Sequence, residues 1–529
     1  MSRLSLVLAL ALLLAPVLAY GYRHHTSKIH YREYSTEVFE QARREGKPIF
    51  ILISAVWCYW CKYFDANTLE TDEVSSYLNR HWLNVFVDSD ARADLRRKYV
   101  RGWPMSVLLH PDGRVQLSFP GALGKQDFLD IVKRAEAEIA RGTAAPAPVA
   151  SVLAAPLPVT AAAYRDLDAA LATYAEEHAD RLHGGFGSGR KFPYPPLLAH
   201  LLAQQAAARD PQRLAFIEKT LDAILARLHD PIAGGFFRYA ERPDWSEVHT
   251  EKMLHVNAGL ALAFAKASEV LGEPRYARAA DAALAFMLGT LYDAAAGGFY
   301  GSQTADPAYY RQPPQTRRGQ RGPEVNRDKV TAWNAEAILA LLALGERKQR
   351  QEVRDAALRS LEFMRTHLLS DRGMYHIYLA TAKRGALRGQ LEANAWAALA
   401  FLEGHRLSGQ DVYRQAGERV LDYALAELFD PQRGGFIAWN NPDHSGRSAR
   451  TEDVPLAANG LMAQALLTAY RLSGRPAYRD AAERTLALLG GQIRARLVEA
   501  FDTPTALVAE MAYTLTAYND LLAQISRAR

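Results

Sequence analysis

Copies of Gly-Gly-Phe punctuate the larger, C-terminal part of the chain, and their spacing restricts the fold there more tightly than any other feature. They are Gly184-Gly185-Phe186, Gly234-Gly235-Phe236, Gly297-Gly298-Phe299 and Gly434-Gly435-Phe436, with a degenerate copy at Asp371-Arg372-Gly373-Met374-Tyr375. Asp230, Asp293 and Asp430 precede three of them by a few residues. After each of the last four copies comes a helical stretch with Asn and small residues near its start: Asn257-Ala258-Gly259, Asn334-Ala335-Glu336, Asn394-Ala395-Trp396 and Asn459-Gly460-Leu461. The next glycine follows 40 residues after Asn257, 39 after Asn334 and 40 after Asn394. That interval holds two helices and a short turn, so the chain repeats a helical hairpin.

About twelve amphipathic stretches begin near Ala162, Pro195, Gln212, Glu251, Pro274, Lys329, Gln349, Leu391, Gln410, Asp453, Pro476 and Thr503. Six hairpins stack into an open solenoid or close into a ring. The alanines that open the Asn-bearing helices (Ala258, Ala335, Ala395, Ala458) suit close packing in an inner layer, and an (α/α)6 toroid is expected.

In such a ring every Gly-Gly-Phe loop lies where an outer helix hands over to the next inner helix, so the loops and the starts of the inner helices gather on one face. Lys191, Phe192, His249, Glu251, Lys252, Asp328, Lys329, Trp333, Glu392, Trp396, Glu452, Asp453 and Asp502 fall there, with the rings of Phe236, Tyr239, Trp245, Tyr300, Tyr375 and Trp439. Carboxylates interleaved with aromatic rings form the lining that sugar recognition needs, because rings stack on C–H faces while acids hold hydroxyls. Taken singly, each residue also has a structural explanation as a helix cap, a turn or core packing.

The N-terminal part carries different chemistry. The chain has two cysteines, both in Trp57-Cys58-Tyr59-Trp60-Cys61-Lys62 after the apolar run Pro48-Ile49-Phe50-Ile51-Leu52-Ile53. One Cys-x-x-Cys with no further thiols points to reversible redox chemistry; a permanently closed bridge and half of a metal site, with His81 and His110 the only histidines nearby, are the alternatives. No metal or cofactor is expected. A helix over Thr36–Glu45, strands at Ile49–Ile53 and Leu83–Val87, a strand after Trp103-Pro104, a Pro111-Asp112-Gly113 turn into Val115–Phe119 and a last helix from about Gln126 to Ala140 have the order of a thioredoxin fold. Cys58, at a helix N-terminus, is the expected nucleophile, because unpaired N–H groups and the helix dipole favour its thiolate. Cys61 is the expected resolving thiol, and the Trp103-Pro104 bond is expected to be cis. Trp57, Tyr59 and Trp60 offer flat apolar surface for a peptide-like partner, with packing of the two tryptophans on the domain as the alternative.

Arg3 followed by the Leu- and Ala-rich run to about Ala19 reads as a secretory signal peptide over residues 1–19, with an uncleaved anchor as the alternative. An exported, cysteine-poor protein of this kind fits a bacterial periplasm. The Ala/Pro-rich stretch 143–160 reads as a semi-rigid linker between a thioredoxin-like domain at 30–142 and the helical domain at 161–529. With 49% hydrophobic and 23% charged residues both parts can bury a core. The net charge of +5 is weak for 529 residues, and the one basic cluster, Arg311 with Arg317-Arg318-Gly319-Gln320-Arg321, sits in a loop-like stretch. No nucleic-acid partner is expected, and no membrane span once the leader is removed.

Several motifs then occur in order: Trp57-Cys58-Tyr59-Trp60-Cys61; Gly102-Trp103-Pro104-Met105-Ser106-Val107; Gly184-Gly185-Phe186-Gly187 with Lys191-Phe192-Pro193; Gly234-Gly235-Phe236-Phe237-Arg238-Tyr239; His249-Thr250-Glu251-Lys252-Met253-Leu254 with Asn257; and Asp328-Lys329 with Trp333-Asn334. In these the chain resembles the spermatogenesis-associated protein 20 / YyaL family, in which a thioredoxin-like domain precedes a six-hairpin glycosidase-like toroid. The resemblance implies a redox role and an association with carbohydrate metabolism; substrate-binding roles are expected for Lys191, Phe236, Tyr239, Trp245, His249, Lys252, Asn257, Trp333, Asn334, Glu452 and Asp453. Tyr59 and Lys62 stand where that family has histidines; losing an imidazole between the cysteines removes a stabiliser of the thiolate and implies a more reducing pair. Its Leu-Glu-Asp-Tyr motif reads Leu391-Glu392-Ala393-Asn394 here, without the second acid.

Three functions are open. One is a thiol–disulfide oxidoreductase using Cys58, Cys61 and the adjoining Pro104, whose partner is a thiol or disulfide protein. Another is a glycosidase or sugar epimerase in the toroid, drawing acid and base from Glu251, Asp328, Glu452, Asp453 and Asp502, or using His249 as proton shuttle. The third is a non-catalytic platform for a saccharide or peptide.

Overall fold

The computed structural model describes residues 27–142, 155–440, 454–497 and 505–528. The chain divides near residue 150 into two compact units. The leader and most of the linker, together with Glu452, Asp453 and Asp502, lie outside the described residues.

The first unit holds β1 (Tyr31–Arg32), α1 (Thr36–Glu45), β2 (Ile49–Ser54), α2 (Tyr59–Phe64, continuing into a wide turn at Asp65–Leu69), α3 (Asp72–His81), β3 (Leu83–Asp88), α4 (Ala93–Tyr99), β4 (Met105–Leu109), β5 (Val115–Pro120) and α5 (Lys125–Ala140). Its sheet has the order β1-β3-β2-β4-β5. Strand β3 runs parallel to β1 and β2, β4 antiparallel to β2, and β5 antiparallel to β4. This is the thioredoxin fold. The unbroken apolar run of β2 follows from its central place: Phe50 and Leu52 pack on one face with Phe64 and Phe128, while Ile49, Ile51 and Ile53 pack on the other with Val38, Leu95 and Val107. A strand covered on both faces has no polar side to show.

The second unit is a ring of helical hairpins: α6 (Ala161–Glu177), α7 (Pro195–Ala207), α8 (Pro211–Arg227), α9 (Leu254–Leu271), α10 (Pro274–Phe286), the short α11 (Pro307–Tyr310) and α12 (Pro314–Arg318), α13 (Thr331–Arg347), α14 (Gln351–His367), α15 (Leu391–Ser408), α16 (Asp411–Glu427), α17 (Leu456–Ser473), α18 (Pro476–Leu497) and α19 (Thr505–Ala528). Helices α7, α9, α13, α15, α17 and α19 form the inner layer, each packed on the next, and α19 packs back on α7 to close the circle. Helices α8, α10, α14, α16 and α18 each back the inner helix before them, and α6 backs α19. The sixth pair is therefore made by the first and last helices. The Tyr518 hydroxyl donates to Pro158 O (2.9 Å) and accepts from Thr160 N (3.1 Å), and its ring stacks on Tyr164.

The repeated Asn is the joint of each hairpin. Asn257 Oδ1 accepts from Phe236 N (2.7 Å), and its Nδ2 donates to Phe236 O (3.1 Å) and Met253 O (2.9 Å). Asn334 repeats this with Phe299 and Val330, and Asn459 with Phe436 and Pro455; Asn394 accepts from Met374 N and donates to Gln390 O. One amide thus clamps the preceding loop to the first turn of the inner helix, where the backbone would otherwise lack partners. The second glycine of the loop lets the outer helix come close. Gly235 has φ +73°, and a Cβ there would stand 2.5 Å from Phe286 Cγ.

Candidate functional site

The thiol pair sits where β2 ends and α2 begins. Cys58 and Cys61 are joined by a disulfide, each 1% exposed, with Cα atoms 5.3 Å apart. Cys58 precedes the first residue of α2, and its Sγ accepts the N–H of Cys61 (3.1 Å), one of the donors left unpaired at a helix start. The Trp103-Pro104 bond is cis, as expected. Met105, the next residue, pairs with Ile53 across the sheet, so Pro104 and the cysteines lie at the same end of the sheet. Trp57 packs on its own domain: its Nε1 donates to the buried Asp90 carboxylate (3.1 Å), and its ring meets Trp103 edge-on at 5.1 Å. Tyr59 and Trp60 are half-buried and continue edge-on into Tyr63, which is 43% exposed. Tyr63 completes an aromatic strip beside the disulfide; its spacing of three and four residues from Trp60 and Tyr59 on a helix would have revealed it.

In the toroid the structure separates residues that the sequence grouped. Lys191, Lys252 and Lys329 are buried to 2% exposure or less, although two of them were expected to bind substrate. Lys252 Nζ donates to Asp230 Oδ2 (2.8 Å) and Gly234 O (2.7 Å), and Lys329 does the same with Asp293 and Gly297. Lys191 holds Asp180 and Gly187 O. These lysines lock the loops. Burial lowers the Lys252 ammonium to about 8 against the opposing pull of Asp230. Asn257 and Asn334 spend both amide hydrogens on backbone and are fully buried. Phe236 is core, stacked on Phe264, and the Trp245 indole, 1% exposed, is turned inward to the carbonyls of His183 and Gly184. Asp328 accepts from Ala380 N (2.8 Å) and so ties the α13 entry to the 373–388 hairpin. The Tyr239 hydroxyl donates to Glu241, and its ring stands against Phe192 and His249.

What faces the interior of the ring is found by counting from the joints. Two residues along a helix turn about 200°, to the side opposite. Opposite Asn257 lies His255, opposite Asn334 lies Glu336, and opposite Asn394 lies Glu392. All three are partly exposed, between the fully buried residues on either side of them in their helices. His255 stands 4.7 Å from the ring of Trp333. Burial, reinforced by the charge of Arg238, lowers His255 to about 4 against the pull of Glu392 and Glu251. Burial and then the charge of Glu392 raise Glu336 to about 8. Burial thus favours the neutral form of both groups.

Beside them, the ribbon entering α9 carries a fixed ion pair. Arg238 Nη1 donates to Glu251 Oε2 (2.9 Å), and His249 Nε2 lies 3.6 Å from the same oxygen. Burial would raise Glu251, but the nearby His249 imidazole and the Arg238 charge outweigh it and hold the carboxylate low. Glu251 Oε1 is buried without a hydrogen-bond partner among the described residues, and so is Nδ1 of His255.

Residues 13–136 match a family model described as Thioredox_DsbH, a protein of unknown function, DUF255. The chain is similar to spermatogenesis-associated protein 20 of Homo sapiens, 27% identical over 366 residues, and to that of Mus musculus, 24% identical over 355. Each alignment covers 61% of this chain and 43% of the relative, so the chain matches less than half the relatives' length. The helical unit has the fold of a D-mannose isomerase (TM-score 0.56, 11% identity, 69% of this chain and 98% of that one). It also has the fold of cellobiose 2-epimerase from Spirochaeta thermophila DSM 6192 (TM-score 0.54, 16% identity, 70% and 98%).

Proposed function

We propose that this relative of spermatogenesis-associated protein 20 is an exported thiol–disulfide oxidoreductase whose toroid binds a carbohydrate. The observation that carries the redox reading is the bonded Cys58–Cys61 pair at the start of α2, with the Cys61 N–H directed at Cys58 Sγ. In the reduced protein the Cys58 thiolate attacks a partner disulfide, forming a mixed disulfide and releasing one partner thiolate. Cys61 then attacks Cys58 Sγ, so the partner leaves as a dithiol and the domain is oxidised by two electrons. The Tyr59–Trp60–Tyr63 strip supplies flat surface for the partner. Cys58→Ser is expected to abolish insulin reduction without lowering thermal stability; unchanged reduction would remove the assignment. With no histidine between the cysteines, the potential is expected on the thioredoxin side, near about −270 mV rather than about −120 mV.

The carbohydrate reading is supported by the partly exposed His255 set 4.7 Å from the ring of Trp333, with the partly exposed acids Glu336 and Glu392 on the helix sides opposite the joint asparagines, and by the likeness of the ring to a sugar isomerase and an epimerase. Calorimetric titration with mannose, glucose, cellobiose and mannobiose tests it. Trp333→Ala is expected to weaken a bound sugar about tenfold, the loss of one stacking face worth ~1.4 kcal/mol; an unaltered affinity would place the sugar elsewhere.

A further inference from the structure

Resting on the reading of the thiol pair as a redox site, we propose that Asp90 is a positioning residue for disulfide exchange: it holds the Trp57 indole so that Trp57 and Trp103 make a second aromatic wall for protein partners beside the disulfide. Three consecutive polar residues at the end of β3, Asp88, Ser89 and Asp90, are buried to 6%, 0% and 3% exposure. A carboxylate is costly to bury unless donors meet it. Asp88 Oδ1 accepts from Asp90 N (2.9 Å) and Asp88 O from Arg92 N (2.9 Å), while Ser89 N donates to Ser54 O (2.9 Å), the last residue of β2. These bonds fix the turn next to the segment that carries the chain from β2 into the cysteines. From that turn Asp90 Oδ2 accepts the Trp57 Nε1 proton at 3.1 Å, and Arg96 of α4 brings its guanidinium within 3.9 Å of Oδ1. Arg96 thereby gives the charged helix α4 a task, since it balances the buried carboxylate.

What the bond orients is the residue before the nucleophile. Trp57 adjoins Cys58 and Trp103 adjoins the cis Pro104, and the two rings meet edge-on, 5.1 Å between centroids and 74° between planes. The contact therefore joins the two chain segments that border the disulfide. Trp57 is 9% exposed and offers little surface of its own, whereas Trp103 is partly exposed. Trp57 is the support and Trp103 the face. An edge-on pair depends on orientation as well as on buried area, so an indole released from Asp90 turns on its side-chain torsions and the face loses its backing. The wall is of use only to a partner large enough to reach past the sulfurs. Asp90 acts through Trp57 alone: the bonds made and broken remain those between Cys58, Cys61 and the partner.

The test compares a protein disulfide with a small one. The full chain, reduced and freed of reductant, is mixed with excess insulin or with bis(2-hydroxyethyl) disulfide, and oxidation of Cys58–Cys61 is followed by acid quench and alkylation. Asp90→Ala is expected to raise the half-saturating insulin concentration about tenfold with the limiting rate within about twofold of wild type, the pattern of lost binding rather than lost chemistry. Its rate with the small disulfide should also stay within about twofold, because that molecule does not reach the wall. Asp90→Asn keeps an acceptor for the indole N–H and should restore the wild-type half-saturation for insulin. Trp57→Phe deletes the bond from its other end while keeping a ring; it should raise half-saturation likewise, which keeps the test open if Asp90→Ala misfolds. Equal losses on both disulfides, a loss that Asp90→Asn shares in full, or unchanged half-saturation in both Asp90→Ala and Trp57→Phe overturns the positioning role and leaves the redox reading standing. A wild-type chain that neither disulfide oxidises overturns both.

Discussion

Glu336 and His255 respond to burial in opposite senses, and the signs can be followed into stability. Glu336 binds its proton more tightly in the folded chain, at about 8, than an ordinary glutamate does at about 4.5, so its stabilising contribution is complete below pH 4.5 and is lost as pH rises toward 8. Glu336→Gln is expected to match wild type near pH 4.5 and to exceed it at pH 8.5 by about 2 kcal/mol. This is less than the full shift implies, because the Glu336 side chain is partly exposed. His255, at about 4 in the folded chain, runs the other way: stability present above pH 6.5 is lost as pH falls toward 4. Urea denaturation at pH 4.5, 5.5, 7 and 8.5 checks both slopes, and His255→Gln should remove the acid-side loss. The sequence named Trp333, Glu392 and Glu251 of this region but missed His255 and Glu336. Lys252 and Asn257 are conspicuous because they sit in motifs, yet the motifs are joints; His255 and Glu336 are plain residues made important by helical phase.

At the scale of the element, the hairpin repeat could be read directly, because Gly-Gly-Phe and Asn are clamped to one another and must keep their spacing. The lysine locks could not be read. Lys191, Lys252 and Lys329 lie 11, 22 and 36 residues from their aspartates, so no fixed interval announces them. In the thioredoxin unit the strands were evident from apolar runs, whereas α4, which joins β3 to β4, is a short charged helix without a strong apolar stripe. Removing a joint should show its cost. Asn257→Ala leaves the N–H and C=O of Phe236 buried without partners, and the toroid transition is expected to weaken by about 3 kcal/mol, read from its urea midpoint. A change below about 0.5 kcal/mol would mean that water replaces the amide.

For the toroid as a whole, the ring depends on a seam between its two ends. Leu157 N donates to Ala487 O, and Gly491 lies so close to the incoming segment that a Cβ would stand 2.1 Å from Ala155 O. Gly491→Ala is expected to loosen α6, seen as faster proteolysis between residues 142 and 178 with the thioredoxin unit unaffected; an unchanged digestion pattern would show that the seam yields by a small backbone shift. The seam also sets a timetable for synthesis. Pro158 waits for Tyr518, 360 residues later, which at about 5–20 residues per second is roughly 20–70 s of elongation. Throughout that interval the apolar side of the first hairpin helix, with Leu167 and Leu171, has not yet met its neighbour, while the thioredoxin unit already has all the residues it needs. Newborn chains of this protein thus pass through a long stage with one finished domain and one open ring, the stage at which a chaperone has the most surface to hold.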